Sequence, residues 1–343
     1  MRIALDATYS VGDGLTGVGV YSREMLLGLA AAHPEAAFRF CYRPHRLRQS
    51  FGERLPANAA RRPLIGFLPP AADLFHALNQ RVEGRFRHTV STFHDLFVLT
   101  SEYSTPDFRA RFTAQAKGAA ERSDLIIAVS EFTAGQVEAL LGVDRARIRV
   151  IHHGVRRPGV EPSPITARER LIFSVGAIQT RKNTARLVKA FECVPQGWRL
   201  ALAGAPGYQA EEILYAIKES PRRADINVLG YVPPDDLASL YDRASVFAFP
   251  SLDEGFGMPV LDAMANGVPV VTSRRSALPE VAGEAAILVN PLETGELAHA
   301  LMRLTTDVGL RAELRAKGLK RAEAFSWDEA VAKTWAVYRE LCG

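Results

Sequence analysis

The chain is poor in cysteine and has no long apolar run, and each shortage closes off a class of protein. Its three cysteines, Cys41, Cys193 and Cys342, lie far apart, with neither a Cys-x-x-Cys pair nor a metal-ligand spacing, and an odd number gives no disulfide framework. A reducing, cytoplasmic location fits that usage. No apolar stretch approaches the roughly 18 residues of a membrane span. The opening MRIALDATYS is a short strand-like run followed by glycines, unlike a secretory leader with its long apolar core. Short-period repeats and low-complexity tracts are also missing. What is present, 48% apolar and 23% charged residues, is ordinary for a globular protein and excludes disordered and fibrous classes. The 343 residues suit two domains, at about 100 to 200 residues each.

The net charge of +4 is unevenly spread: residues 1–160 hold 21 Lys and Arg against 15 Asp and Glu, and the remainder 21 against 23. Much of the excess is arginine between Arg43 and Arg87, including Arg46, Arg48, Arg61 and Arg62. Such a face can meet an anionic membrane from the cytoplasmic side or an acidic acceptor; it can equally be a solvated surface. No nucleic-acid partner is expected.

Short apolar runs (RIALDA, TVSTFH, LIIAVS, RVIHHG) alternate with helical patterns such as YSREMLLGLAAAH, which predicts βαβ units and a parallel sheet. The pattern stops in the proline-rich RRPGVEPSPITARER, residues 156–170, an expected interdomain linker. A second alternation follows (LIFSVGA, WRLALAG, INVLGYV, SVFAFPS, VPVVTS). The expected domains are 1–158 and 165–325, both α/β and Rossmann-like, with a terminal helix over 326–343 capped by Ser326 and closed into a capping box by Glu329. Two such sheets predict a ligand cleft at their carboxyl edges.

The strongest local signal is PSLDEGFGMPVLDAMANGVPVV, residues 250–271, where an apolar strand ends in a loop carrying Glu254, Gly255, Phe256 and Gly257. Pro259 then suits the first turn of a helix, with Asp262 on it and Gly267 at its end. Glycines let backbone approach a ligand, and a helix N-terminus offers unpaired N–H groups to phosphate. In SVGAIQTRKNTARLVKAF, Gly176 ends a strand and Arg181 and Lys182 stand beside a helix start, which suits a pyrophosphate. LGYVPPDDLASLYDRAS places Gly230, Tyr231 and Val232 in a strand-end loop, with Asp235 or Asp236 as the expected cap of the next helix. Nearer the start, Gly17 and Gly19 precede a helical pattern, and His94 with Asp95 follows the strand TVSTF.

These segments, in this order from Gly17 to about Pro291, resemble the retaining glycosyltransferases of family 4, formerly glycosyl transferases group 1. The resemblance implies a GT-B fold: two Rossmann-like domains facing across a cleft, the last helix crossing back to the first domain, which would bind the acceptor. Family members carry two acids around seven residues, matched by Glu254 and Asp262, the latter shorter than the usual glutamate. The resemblance assigns Glu254 and His94 to the transferred sugar and Arg181 and Lys182 to the donor diphosphate. It assigns Asp262 to the ribose, Gly230, Tyr231 and Val232 to the base, and Gly17, Gly19, Gly176, Gly255, Phe256, Gly257 and Met258 to donor binding. The chain departs from the family at Val20 and Ala177, where arginine is common, and at His153, where asparagine is common.

The implied activity is transfer of a sugar, with mannose from GDP-mannose as the specific expectation, from a nucleotide-sugar donor to a glycan or lipid-linked acceptor with retention. No Asp-x-Asp triplet occurs, so no metal and no cofactor are expected, the nucleotide-sugar being a substrate. Rival readings are a GT-B-shaped sugar epimerase, a phosphorylase, or a nucleotide-sugar-binding module without turnover.

Overall fold

The computed structural model describes residues 1–12, 14–66, 71–82 and 84–343, and divides the chain into two units: Met1–Gly154 with Ser326–Gly343, and Val155–Phe325. Among the described residues the first unit holds seven parallel strands: β1 (Arg2–Asp6), β2 (Ala37–Tyr42), β3 (Ala59–Pro63), β4 (Leu74–Ala77), β5 (Thr89–Phe93), β6 (Leu125–Ala128) and β7 (Ile148–Val150). Their spatial order is β3-β2-β1-β4-β5-β6-β7. Between them run α1 (Gly17–Ala32), α2 (Pro44–Ser50), α3 (Phe97–Thr100), α4 (Pro106–Arg122) and α5 (Glu131–Leu141). The second unit holds β8 (Glu169–Val175), β9 (Arg199–Ala203), β10 (Ile226–Gly230), β11 (Ala244–Phe249), β12 (Val270–Ser273) and β13 (Ala286–Val289), in the order β10-β9-β8-β11-β12-β13. Its helices are α6 (Thr184–Phe191), α7 (Ala210–Glu219), α8 (Pro234–Arg243), α9 (Met258–Ala265), α10 (Leu278–Ala282), α11 (Thr294–Thr306) and α12 (Val308–Ala322).

Side chains alternate across a strand, so a sheet covered on both faces needs continuous apolar runs. β1 shows the result: Ile3 and Leu5 join one core with α1, while Ala4 joins another with Phe75, Phe93 and Ala116. β8 behaves alike, Ile172 packing with Leu187 and Phe191 of α6 while Phe173 lies against Tyr241 and Phe247.

The last helix, α13 (Trp327–Cys342), belongs to the first unit. Val331, Val337 and Tyr338 enter the core with Met25 and Leu29, each burial worth about 1.5–3 kcal/mol. The Tyr338 hydroxyl lies 2.6 Å from His76 Nδ1, and Trp335 stacks on His33 at 3.6 Å. The cap is half of what the sequence predicts. Ser326 Oγ accepts from the amides of Asp328 and Glu329, at 3.1 and 3.5 Å, but the Glu329 carboxylate pairs with Lys333 at 2.7 Å on its own helix instead of turning back.

The end of the predicted linker is docked on the second unit. Arg168 donates to the carbonyls of Ser163, Tyr241, Ala244 and Asn266, and Ser163 bonds Asp242 through amide and hydroxyl. Some arginines of the basic half are likewise used internally. Arg43 is buried and paired with buried Asp6 at 3.1 Å, and Arg61 donates to the carbonyls of Ser50 and Glu53. Arg48, Arg54 and Arg62 remain exposed.

Gly154 lies directly against the start of α13: a Cβ there would overlap the Trp327 backbone nitrogen and sit 2.6 Å from its Cγ. Overpacking of this kind costs about 1–3 kcal/mol. Gly154→Ala should therefore lower the urea midpoint of the first unit, read by near-UV circular dichroism; an unchanged midpoint would show that the two segments can part freely.

Candidate active site

At the carboxyl edge of the second sheet three strands end in linked glycines. Gly176 donates to Ala203 O at 2.8 Å, and Gly204 to Gly230 O at 2.7 Å. A Cβ on Gly204 would overlap the Gly176 carbonyl oxygen, so the two loops meet backbone to backbone. Beside them, Thr180–Lys182 forms a single 3-10 turn, and Asn183, left-handed at φ 59°, leads into α6. The Asn183 amide donates to the carbonyls of Pro250 and Pro291 at 3.0 and 2.7 Å, which ties this turn to the acid loop.

That tie brings the predicted cations onto the predicted acid. Lys182 Nζ donates to Glu254 Oε1 at 2.5 Å, Arg181 Nη1 lies 3.0 Å from the same oxygen, and Arg181 also donates to Asp253 O at 2.7 Å. The three side chains are only 11 to 14% exposed, so this is not a screened surface pair. Burial pushes the Glu254 carboxyl up, but Arg181 and Lys182 together outweigh it and hold the group at about 2. Glu254 is thus ionised throughout the neutral range.

Gly257, at φ 108°, caps α9, which begins at Met258, with Pro259 in its first turn as the sequence predicts. Gly255 and Phe256 are buried, and Phe256 packs edge-on to Phe325 at 5.9 Å. Asp262 is half-buried on α9, and its carboxyl has no hydrogen-bond partner among the described residues. Burial pushes that carboxyl up to about 7, and its charge acts on the neighbouring Tyr241 hydroxyl. The two family acids therefore sit in opposite electrostatic settings. Asp253 lies between these extremes, raised to about 6 by burial and then by Glu254.

Gly230 ends β10, and Tyr231 beside it is 58% exposed, available to a planar ligand. Asp235 and Asp236 do not cap the next helix: α8 starts at Pro234 behind Pro233, which puts both acids within the first turn. There they complement the helix dipole.

In the first unit His94 follows β5 and is buried, its Nε2 2.9 Å from Leu78 O. Burial lowers its pKa to about 4, the Leu78 contact offsetting only part, so the ring is neutral at pH 7. Tyr21 meets it edge-on at 4.8 Å, His153 stacks on it at 5.4 Å, and Trp327 lies 5.8 Å behind His153. Gly17 and Gly19 do not precede α1 but form its first and third residues. A Cβ on Gly19 would come within 2.8 Å of Tyr9 O, so close packing explains that glycine without a ligand.

Sequence reasoning missed Asn183, Gly204 and Ser276. Gly204 had a usable signal, a glycine ending an apolar strand as Gly176 does. Ser276 had none.

The first half matches the family described as Glycosyltransferase Family 4 over residues 16–157, and the second matches Glycosyl transferases group 1 over residues 160–321. The O-antigen chain mannosyltransferase B of Escherichia coli is 28% identical, over 98% of this chain and 99% of that protein. The MMP alpha-(1->4)-mannosyltransferase of Mycolicibacterium hassiacum is 31% identical over 67% of this chain, which spans 57% of that protein. Among solved structures, sucrose-phosphate synthase from Thermosynechococcus elongatus superposes with a TM-score of 0.79 at 21% identity, covering 99% of this chain and 98% of that one. The lipopolysaccharide-biosynthesis glycosyltransferase WaaG gives 0.73 at 13% identity, over 97% and 98%. With two parallel-sheet Rossmann-like domains and both family halves matched in order, the chain belongs to the family 4 glycosyltransferases, glycosyl transferases group 1, and has their GT-B fold.

Proposed function

We propose that the chain is a retaining transferase that moves mannose from GDP-mannose to a glycan or lipid-linked acceptor, without a metal ion. The observation that carries this reading is the clasp of Glu254 by Arg181 and Lys182. Breaking a glycosyl phosphate bond leaves negative charge on the diphosphate and positive charge on the sugar, so preorganised donors at the phosphate do the electrostatic work. One ionised glutamate against two cations leaves this trio at +1, a charge suited to a diphosphate, while the carboxylate can orient the sugar. Poor solvent access strengthens both effects.

In this reading His94, neutral, contacts the transferred sugar, and a donor phosphate oxygen helps take the acceptor proton on the same face. Asp262 bonds the ribose, and Gly230, Tyr231 and Val232 meet the base. Similarity over the whole length to an O-antigen mannosyltransferase supports mannose and a polysaccharide acceptor. No helix is long and apolar enough among the described residues to cross a membrane. Peripheral contact with anionic lipid on the cytoplasmic face would use Arg48, Arg54 and Arg62, which are exposed, beside Phe51 at 69% exposure.

A panel of nucleotide sugars, with and without mannoside acceptors, tests this directly. Nucleotide release that requires acceptor is the expected result, and it should survive EDTA. Release with an altered sugar and no acceptor would mean an epimerase, and binding without release a non-catalytic module.

Lys182→Ala should cut donor turnover by about ten- to over a hundredfold, the loss of one charged hydrogen bond. Glu254→Gln should lower mainly kcat, whereas Asp262→Ala should raise mainly donor KM, because a contact equal in ground and transition states appears in KM alone. Steady-state kinetics on each variant checks the split.

The opposite settings of the acids also predict a pH effect. Asp262 is protonated below about 7 and becomes a full acceptor above it, so donor KM should fall as pH rises through 7. Glu254, held at about 2, cannot supply that limb. Asp262→Asn should flatten the KM profile, and a limb that survives this change would place the titrating group elsewhere.

A further inference from the structure

Ser276 is one of three non-glycine residues with positive φ among the described residues, at 56°, a left-handed backbone that serine adopts reluctantly. Asparagine, as at position 183, tolerates that region because its side chain can bond locally. Serine has less to offset the strain, and such strain persists only where surrounding structure fixes it.

What fixes it here is the acid loop. The Ser276 hydroxyl accepts from the Glu254 amide at 3.1 Å and donates to the Arg275 carbonyl at 2.7 Å, so its one proton is committed and its lone pair is turned to Glu254. The next amide, Ala277 N, donates to Glu254 O at 3.2 Å, which holds the same residue from its other backbone group. The residue after that, Leu278, packs under the loop: a Cβ on Gly257 would sit 2.6 Å from its Cδ2. Residues 276–278 thus form a platform touching the acid loop at Glu254 N, Glu254 O and Gly257, while Arg181 and Lys182 hold the carboxylate.

We propose that Ser276 is a positioning residue for the transfer reaction: its left-handed turn trades local backbone strain for a fixed Glu254, and so sets where the carboxylate stands between Arg181 and Lys182. This rests on the reading of Glu254 as the group that orients the transferred sugar. Ser276 touches no substrate in this role and acts through the Glu254 backbone. If Ser276 only stabilised the fold, kcat would follow stability; a positioning role separates stability from activity on substitution.

Three variants make that separation measurable. Ser276→Gly relieves the strain and removes the hydroxyl, Ser276→Ala keeps the strain and removes the hydroxyl, and Ser276→Asn tolerates the turn while offering an amide oxygen. The expected result is a fall in kcat of about three- to tenfold in both Gly and Ala variants, the loss of one hydrogen bond. Donor KM should stay within about twofold, with a higher thermal midpoint for Gly than for Ala and partial recovery of kcat in Asn. Amide hydrogen exchange at Glu254 should accelerate in Gly and Ala, a readout that needs no turnover. Unchanged exchange at Glu254, or kcat that follows the thermal midpoint across the three variants, would overturn the proposal. If the wild-type protein turns over no nucleotide sugar, the transferase reading fails on its own, and the exchange result still decides whether Ser276 fixes Glu254.

Discussion

Taking a carboxylate and two cations out of water costs several kcal/mol per ion, and only close mutual pairing offsets it. The Glu254, Arg181 and Lys182 trio meets that condition because four separate chain segments converge on it. The turn after β8 brings the cations, and the loop after β11 brings the acid. Asn183 ties that turn to Pro250 and Pro291, and residues 276–277 hold the Glu254 backbone. Removing either cation leaves the carboxylate buried with fewer partners, and removing a backbone tie loosens the segments that bring the three charges together. The scaffold is demanding for that reason, with two left-handed non-glycine residues, Asn183 and Ser276, beside the same trio.

The first unit solves a different problem, the placement of a neutral histidine. His94 is surrounded by Tyr21, His153 and, through His153, Trp327, with no ion pair to hold it among the described residues. A second chain of buried contacts runs from Tyr338 through His76 and Thr92 to Tyr21. Both chains use residues of α13, the last helix, so the packing around His94 is complete only after the chain has returned from the second unit. Burial keeps these imidazoles uncharged, His76 at about 3 and His94 at about 4, which matches rings that pack face to face or edge to face without repulsion.

Electrostatic asymmetry between the two family acids follows from position alone. Glu254 reaches two cations and is driven down, whereas Asp262, only eight residues along the chain, meets burial without a compensating charge and is driven up. The same residue class therefore serves as a permanent anion in one place and a titrating group in the other.

The sequence by itself determined the elements and the family. Continuous apolar runs ended by glycines dictate parallel strands covered on both faces, and the EGFGMP string dictates a loop entering a proline-opened helix, because those are local steric and solvation rules. The spacing of Glu254 and Asp262 and the Arg181–Lys182 pair were equally legible, as residue types in family order. Tertiary structure decided what no local rule contains. It showed that one carboxylate takes both cations, that Gly19 answers to the Tyr9 carbonyl, and that Asp235 and Asp236 fall inside the first turn of α8. It also turned Glu329 toward Lys333 and placed Ser276 under Glu254, 22 residues away in the chain. Pairing, desolvation and backbone strain depend on which segments meet, and that is settled only when the whole sheet has closed around its cores.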